Sequence, residues 1–183
     1  MNGEETIDAY VFVQGATQDF LDGLLGLVQE NVEPAIRYAA VLTGNVDGVA
    51  AVEVANFAGL EALIWEHFRT NPTTSTAIGQ CPSPPKECKM PKRKPGQPPV
   101  EAFVRFWVQP GRAQNVVDDL LNSGIDEAGV VAGDFDVLTI VEAETLQDYR
   151  ERLLYVVQRI PSIVRTSTSF VTRSARRPDP EQA

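Results

Sequence analysis

The segment "EAFVRFWV", residues 101 to 108, is apolar on both faces of an extended chain. Val104, Phe106 and Val108 alternate with Phe103 and Trp107. β-Branched and aromatic residues at period two predict a strand. "PGRAQNVVDDLLNS" then opens on proline and sets Val116/Leu120 and Val117/Leu121 four apart, which predicts a helix. In "VVAGDFDVLTIVE", residues 130 to 142, two apolar runs flank a Gly-Asp pair and predict a hairpin. "TLQDYRERLLYVVQRIP" spaces Leu146, Tyr149, Leu153, Val157 and Ile160 along one helical face, with Thr145 as cap and Pro161 as stop. "SIVRTSTSFVT" supplies a last strand.

The first half repeats this order. Residues 41 to 72 align without a gap to residues 130 to 161, always 89 positions apart: Gly44 falls on Gly133, Asp47 on Asp136, Glu53 on Glu142 and Pro72 on Pro161. Six of the 32 columns are identical, and the matching apolar periodicity makes the duplication credible. The helix there uses Phe57, Leu60, Ile64 and Phe68. Strand, helix, strand, strand, helix, strand is the ferredoxin-like split βαβ order. The expected fold class is therefore α+β, two ferredoxin-like βαββαβ repeats. Helices in such a repeat cover one sheet face, yet these strands are apolar on both. A bare apolar sheet would associate or aggregate, and each large side chain it buries contributes roughly 1.5–3 kcal/mol. The simplest solution pairs the two repeats sheet to sheet, within one chain or swapped between two.

Composition alters this picture at the join. "QCPSPPKECKMPKRKPGQPP", residues 80 to 99, has seven prolines in twenty residues and all four lysines: Lys86, Lys89, Lys92 and Lys94. Proline fixes φ and removes a donor, so the strip reads as an extended linker. The expected organisation is a first domain over 1–79, a linker over 80–99, a second domain over 100–173 and a disordered tail over 174–183. Residues 1–79 carry 11 acids and 2 bases, residues 80–99 carry 1 acid and 5 bases, and residues 100–173 carry 11 acids and 7 bases. Acidic folded parts are poor partners for a phosphate backbone. The basic strip could reach RNA, DNA or an acidic partner, but five charges give only a weak, salt-sensitive attraction.

No run approaches the ~20 apolar residues that a membrane helix requires. The acidic start "MNGEETIDAY" does not read as a secretory signal, so a cytoplasmic location without membrane contact is expected.

The strand "AFVRFWVQPG", the hairpin "VVAGDFDVLTIVEAETLQDY" and the ending "RIPSIVRTSTSFV" together resemble the ligand-binding (RAM) domain of the Lrp/AsnC family of amino-acid-responsive regulators. The resemblance spans about residues 101 to 172. The first half keeps Gly44 and Asp47 but has Val46 where the family has an aromatic residue, and so looks like a diverged copy. The resemblance implies paired domains forming a dimeric α/β barrel, further assembly into homo-oligomers of tandem pseudo-dimers, and a small effector such as an amino acid bound near the hairpin turns. Carried onto this chain, the binding residues are Gly133, Asp134, Phe135 and Asp136, with Gly44, Asn45, Val46 and Asp47 as counterparts. A glycine turn offers N–H groups to a carboxylate, and aspartate accepts from an ammonium. Glycine and aspartate also serve a hairpin for its own sake, through positive φ and local hydrogen bonds.

Family regulators carry an N-terminal helix-turn-helix, and nothing of that kind precedes Tyr10, so direct sequence-specific DNA binding is not expected. The reading is a non-enzymatic ligand-sensing or assembly module acting through protein contacts, with no cofactor. The alternative is a barrel enzyme, monooxygenase-like or haem-binding, for which the sequence offers no nucleophile–base pair and one histidine. Cys81 and Cys88, with six residues between them and no histidine nearby, read as free thiols. His67 reads as a packing residue. Arg105 interrupts an apolar strand and could pair with a carboxylate or stack on Trp107. Glu53 and Glu142 read as solvated strand ends.

Overall fold

The computed structural model describes residues 6–69, 73–79, 100–125 and 127–177. The linker strip with Lys86, Lys89, Lys92, Arg93, Lys94, Cys81 and Cys88 lies outside these residues, as does the chain after Arg177.

The elements are β1 (Ile7–Gln14), α1 (Gln18–Gln29), β2 (Ile36–Thr43), β3 (Gly48–Val54), α2 (Phe57–His67), β4 (Thr73–Gly79), β5 (Val100–Val108), α3 (Ala113–Asn122), β6 (Glu127–Ala132), β7 (Val137–Ala143), α4 (Leu146–Val157) and β8 (Ile163–Arg176). Hydrogen bonding runs in one order, β1-β3-β2-β8-β5-β7-β6-β4, which closes as an eight-stranded barrel. This corrects the expected fold class of two ferredoxin-like βαββαβ repeats pairing sheet to sheet as a dimeric α/β barrel. The reason lies in β8, which is 14 residues long and continues past residue 173, where the sequence placed the start of a disordered tail. A strand of that length has backbone donors and acceptors enough for two neighbours in succession.

Two compact units divide the chain. The first holds residues 1–79 together with 172–183. In it β1 lies antiparallel between β3 and β4, and β3 pairs in turn with β2. The end of β8 is fastened to this unit. Thr172 Oγ1 donates to Val41 O at 3.1 Å, Arg177 N to Arg37 O at 3.0 Å, and the Arg177 guanidinium to Glu33 O and Pro34 O. Arg173 meets Asp22 of α1 at 2.7 Å. One core packs Val11, Val13, Ala39, Val41, Ala50 and Val52 under Leu21, Leu24 and Val28 of α1 and Leu60 and Leu63 of α2. The opposite strand face holds Tyr10, Phe12, Tyr38 and Val49, all fully buried.

The second unit holds residues 80–171, with β5 antiparallel between β7 and β8 and β6 beyond β7. Ala102, Val104, Phe106, Val137 and Val141 pack against Val116 and Leu120 of α3 and Tyr149, Leu153 and Val156 of α4. Thr145 caps α4 as the sequence indicated, accepting from Asp148 N at 3.1 Å. Helix α3 starts at Ala113 rather than at Pro110, because Gly111 takes a positive φ of 76° and breaks the helical path before it begins. Leu121, Leu146 and Phe57, each placed on an apolar face by spacing, are exposed. The inward stripes are narrower than the apolar patterns, and Val156 takes the buried place assigned to Val157.

Candidate functional site

The turn from β6 to β7 leaves Gly133 and Asp134 exposed, buries Phe135 and half-buries Asp136. Asp136 is tied to the end of β5. Its N–H donates to Phe106 O at 2.9 Å, and its Oδ2 accepts from Val108 N at 2.8 Å. Its carbonyl closes the hairpin by accepting from Val131 N at 3.0 Å. A carboxylate that accepts from a backbone N–H clasps the turn against the neighbouring strand. Asp134 contributes through its backbone, its carbonyl accepting from Trp107 Nε1 at 2.6 Å. Phe135 presents its ring to Trp107 at 6.1 Å and 65°, an edge-to-face arrangement.

The matching turn from β2 to β3 repeats the frame. Gly44 and Asn45 are exposed, Val46 is buried and Asp47 is half-buried. Gly44 adopts a φ of 131°, a region that favours glycine. Asp47 N donates to Val13 O at 2.9 Å, and its Oδ2 accepts from Gly15 N at 2.6 Å and Ala16 N at 3.1 Å, where the chain leaves β1 for α1. The eight turn residues singled out by the sequence thus fall into two separate turns, each with its last residue, Asp47 or Asp136, engaged by backbone.

Arg105 is where the second turn becomes chemically distinct. Its side chain extends on the same strand face as Phe103 and Trp107, is 7% exposed, and donates from Nη2 to Ser167 Oγ at 3.1 Å. It lies 5.9 Å from the Phe135 ring, whereas the Trp107 ring is covered by Arg165 at 4.4 Å. The sequence suggested stacking of Arg105 on Trp107; Arg165 of β8 occupies that place. Burial, reinforced by the nearby Arg165 charge and opposed by Asp134, holds the Arg105 pKa below its usual value.

Ser169, fully buried beside Phe103, has a hydroxyl with no hydrogen-bond partner among the described residues. Arg165, Ser167 and Ser169 were missed as site residues because they belong to a last strand read only for its pattern. Their placement depends on the β5–β8 register, which sets Trp107 opposite Arg165, Arg105 opposite Ser167 and Phe103 opposite Ser169.

Elsewhere, His67 Nε2 lies 3.3 Å from Glu33 Oε2 in a half-buried pair, and Glu53 meets Arg37 at 2.7 Å. Among the described residues there is no group of three or more His, Cys, Asp or Glu able to hold a metal ion. No described helix is long and apolar enough to cross a membrane.

Residues 101–180 match the family model of the Lrp/AsnC ligand binding domain. The match covers the second turn, Arg105 and the whole of β8. Over nearly the full chain, the fold is similar to three solved structures. One is an anthrone oxidase-like protein, 10% identical, covering 97% of this chain and 95% of that one, with a TM-score of 0.57. Another is a putative monooxygenase from Lactobacillus acidophilus NCFM, 8% identical, covering 94% and 97%, with a TM-score of 0.58. The third is a mutant chlorite dismutase from Candidatus Nitrospira defluvii, 11% identical, covering 94% and 93%, with a TM-score of 0.56. At these identities the likeness concerns the fold alone. No curated protein matches the sequence.

Proposed function

We propose that this chain is a non-enzymatic sensing or assembly module of the Lrp/AsnC ligand-binding type. It takes a small metabolite such as an amino acid at the β6–β7 turn and acts on a protein partner, as a homo-oligomer, without contacting DNA bases itself. The observation that carries this reading is the coincidence of the family match over residues 101–180 with a turn that exposes Gly133 and Asp134 beside the Arg105–Trp107–Arg165 cluster. The β2–β3 turn, with Gly44, Asn45, Val46 and Asp47, is the diverged counterpart. Asp136 and Asp47 serve the turns, since their carboxylates already accept from backbone N–H groups.

A thermal-shift panel of the twenty amino acids on the full chain tests the sensing half. A ligand that binds only the native state raises the melting temperature, so at least one amino acid should do so at millimolar concentration. Absence of any shift removes sensing. Light scattering over a range of concentrations tests the homo-oligomer, which should dissociate on dilution.

A second reading follows from the whole-chain fold, which is shared with proteins described as a putative monooxygenase and a chlorite dismutase. If this chain is an enzyme of that shape with a bound chromophore, the purified protein should absorb beyond the aromatic region. A colourless protein that responds to an amino acid supports the sensing module instead.

A further inference from the structure

The matching strand registers of the two units supply an internal control for asking which residues of the second unit the strand arrangement itself needs. Phe12 of β1 and Arg105 of β5 occupy the same place. Phe12 faces Val49 of β3 and Ser75 of β4, while Arg105 faces Leu138 of β7 and Ser167 of β8. By the same registers Ala77 corresponds to Ser169, and Gln14 and Thr73 correspond to Trp107 and Arg165. In the first unit the positions of Phe12 and Ala77 are apolar and buried. The strand arrangement therefore does not require a cation or a hydroxyl there.

Placing a guanidinium and a hydroxyl in those positions costs desolvation that phenylalanine and alanine avoid. The changes are contiguous on one strand face and form a graded path: Arg165 exposed, Trp107 half-buried, Arg105 and Ser169 buried. The β5–β8 register also sets Arg165 opposite Trp107, two residues along from Arg105 on the same face, so that two cations share this path with Asp134 near them.

We infer that Arg105 and Arg165, with the hydroxyls of Ser167 and Ser169, form the recognition site for the acid group of a small organic monocarboxylate. Arg165 receives the anion at the surface and Arg105 holds it from behind, through the charge-assisted geometry that guanidinium offers a carboxylate. The inference deepens the sensing proposal, since it names the chemical end of the ligand that the second unit reads.

Sodium benzoate is a suitable probe, because its ring matches the Trp107–Phe135 surroundings, and benzamide is its neutral isostere. Melting temperature is measured at constant ionic strength, so that screening does not mimic binding. Benzoate should raise it progressively with concentration and benzamide should not. Arg105→Phe, the residue the first unit uses, should fold and lose the benzoate response. Arg165→Gln, at an exposed position, should weaken apparent affinity about tenfold. A benzoate response that is absent in the unaltered protein, equalled by benzamide, or retained in both variants overturns the site. An amino-acid shift that persists undiminished in Arg105→Phe overturns it while leaving the sensing module standing.

Discussion

In each of the two turns a buried side chain sits between an exposed residue and a half-buried aspartate: Val46 between Asn45 and Asp47, Phe135 between Asp134 and Asp136. Both aspartates donate N–H to the strand that precedes the unit's first helix, and both carboxylates accept from backbone at that strand's end, Val108 within it and Gly15 and Ala16 just past it. The frame is the same because a turn leaning on a neighbouring strand must satisfy the same backbone groups in both units. What differs is filling. The first turn buries Val46 and has two N–H groups on its carboxylate, and the second buries Phe135 against Trp107, with Arg105 and Arg165 over the two rings. The same turn frame thus holds in both units while the second carries side chains that the frame does not need.

Substitutions that exchange or delete the filling should separate these roles. The largest effect is expected from Phe135→Ala, which empties a buried aromatic site and should cost about 3–5 kcal/mol, against about 2 kcal/mol for Val46→Ala. Urea unfolding of the two variants measures the difference, and equal costs would mean that the turns do not differ in packing.

Next comes Gly48→Val, which puts into β3 the residue found at the equivalent Val137 of β7. A Cβ at Gly48 would lie 2.8 Å from Leu21 Cδ2, 3.0 Å from Val13 Cγ2 and 3.3 Å from Ala40 O. The backbone oxygen has little room to yield, so overpacking of about 1–3 kcal/mol is expected. A neutral result would show that α1 stands off β3 further than these distances allow.

Asp47→Ala should then cost more than Asp136→Ala. Asp47 accepts two N–H bonds and Asp136 one, and a hydrogen bond to a charged acceptor contributes about 1.5–3 kcal/mol when buried and less here, where the turns are partly open. The reverse order in unfolding midpoints would make Asp136 more than a clasp.

The smallest effect belongs to the exposed pair of Asp22 and Arg173, which joins α1 to the end of β8. Hydrogen bonding to Arg173, then to Gln18, lowers the Asp22 pKa below its ordinary value. A carboxyl lowered in the folded state contributes stability above its unfolded pKa and loses it as pH falls through the folded one. Asp22→Asn should therefore match the unaltered protein in strong acid and fall slightly below it near neutrality. A difference that grows on acidification would reverse the sign.

The turns were legible because their signals are local: Gly-Asp between apolar runs, a cap at Thr145, apolar residues at helical spacing. The Arg105 cluster was not, for two reasons. Its members come from β5, the β6–β7 turn and β8, so only strand register assembles them. The gapless alignment also hid the comparison with Phe12, because four extra residues separate Val13 from Asp47 compared with Phe106 from Asp136. The 89-residue offset that aligns the turns consequently misaligns the strands before them. The apolar stripes misled over Phe57, Leu121 and Leu146, since spacing identifies the side of a helix and not how far its neighbours reach around it.

Order and type of the elements, the two turns and their aspartates follow from residue patterns that act over a few positions, where φ preference, alternation and capping are strong enough to decide. The way the strands join does not. A long β8 reads from composition as a strand with a loose end, and only the strand order, which sets it between β2 and β5, shows that the end is strand as well. The same holds for Arg105: its charge is written in the chain, but its burial, its serine partner and its second arginine exist only when distant strands set their register.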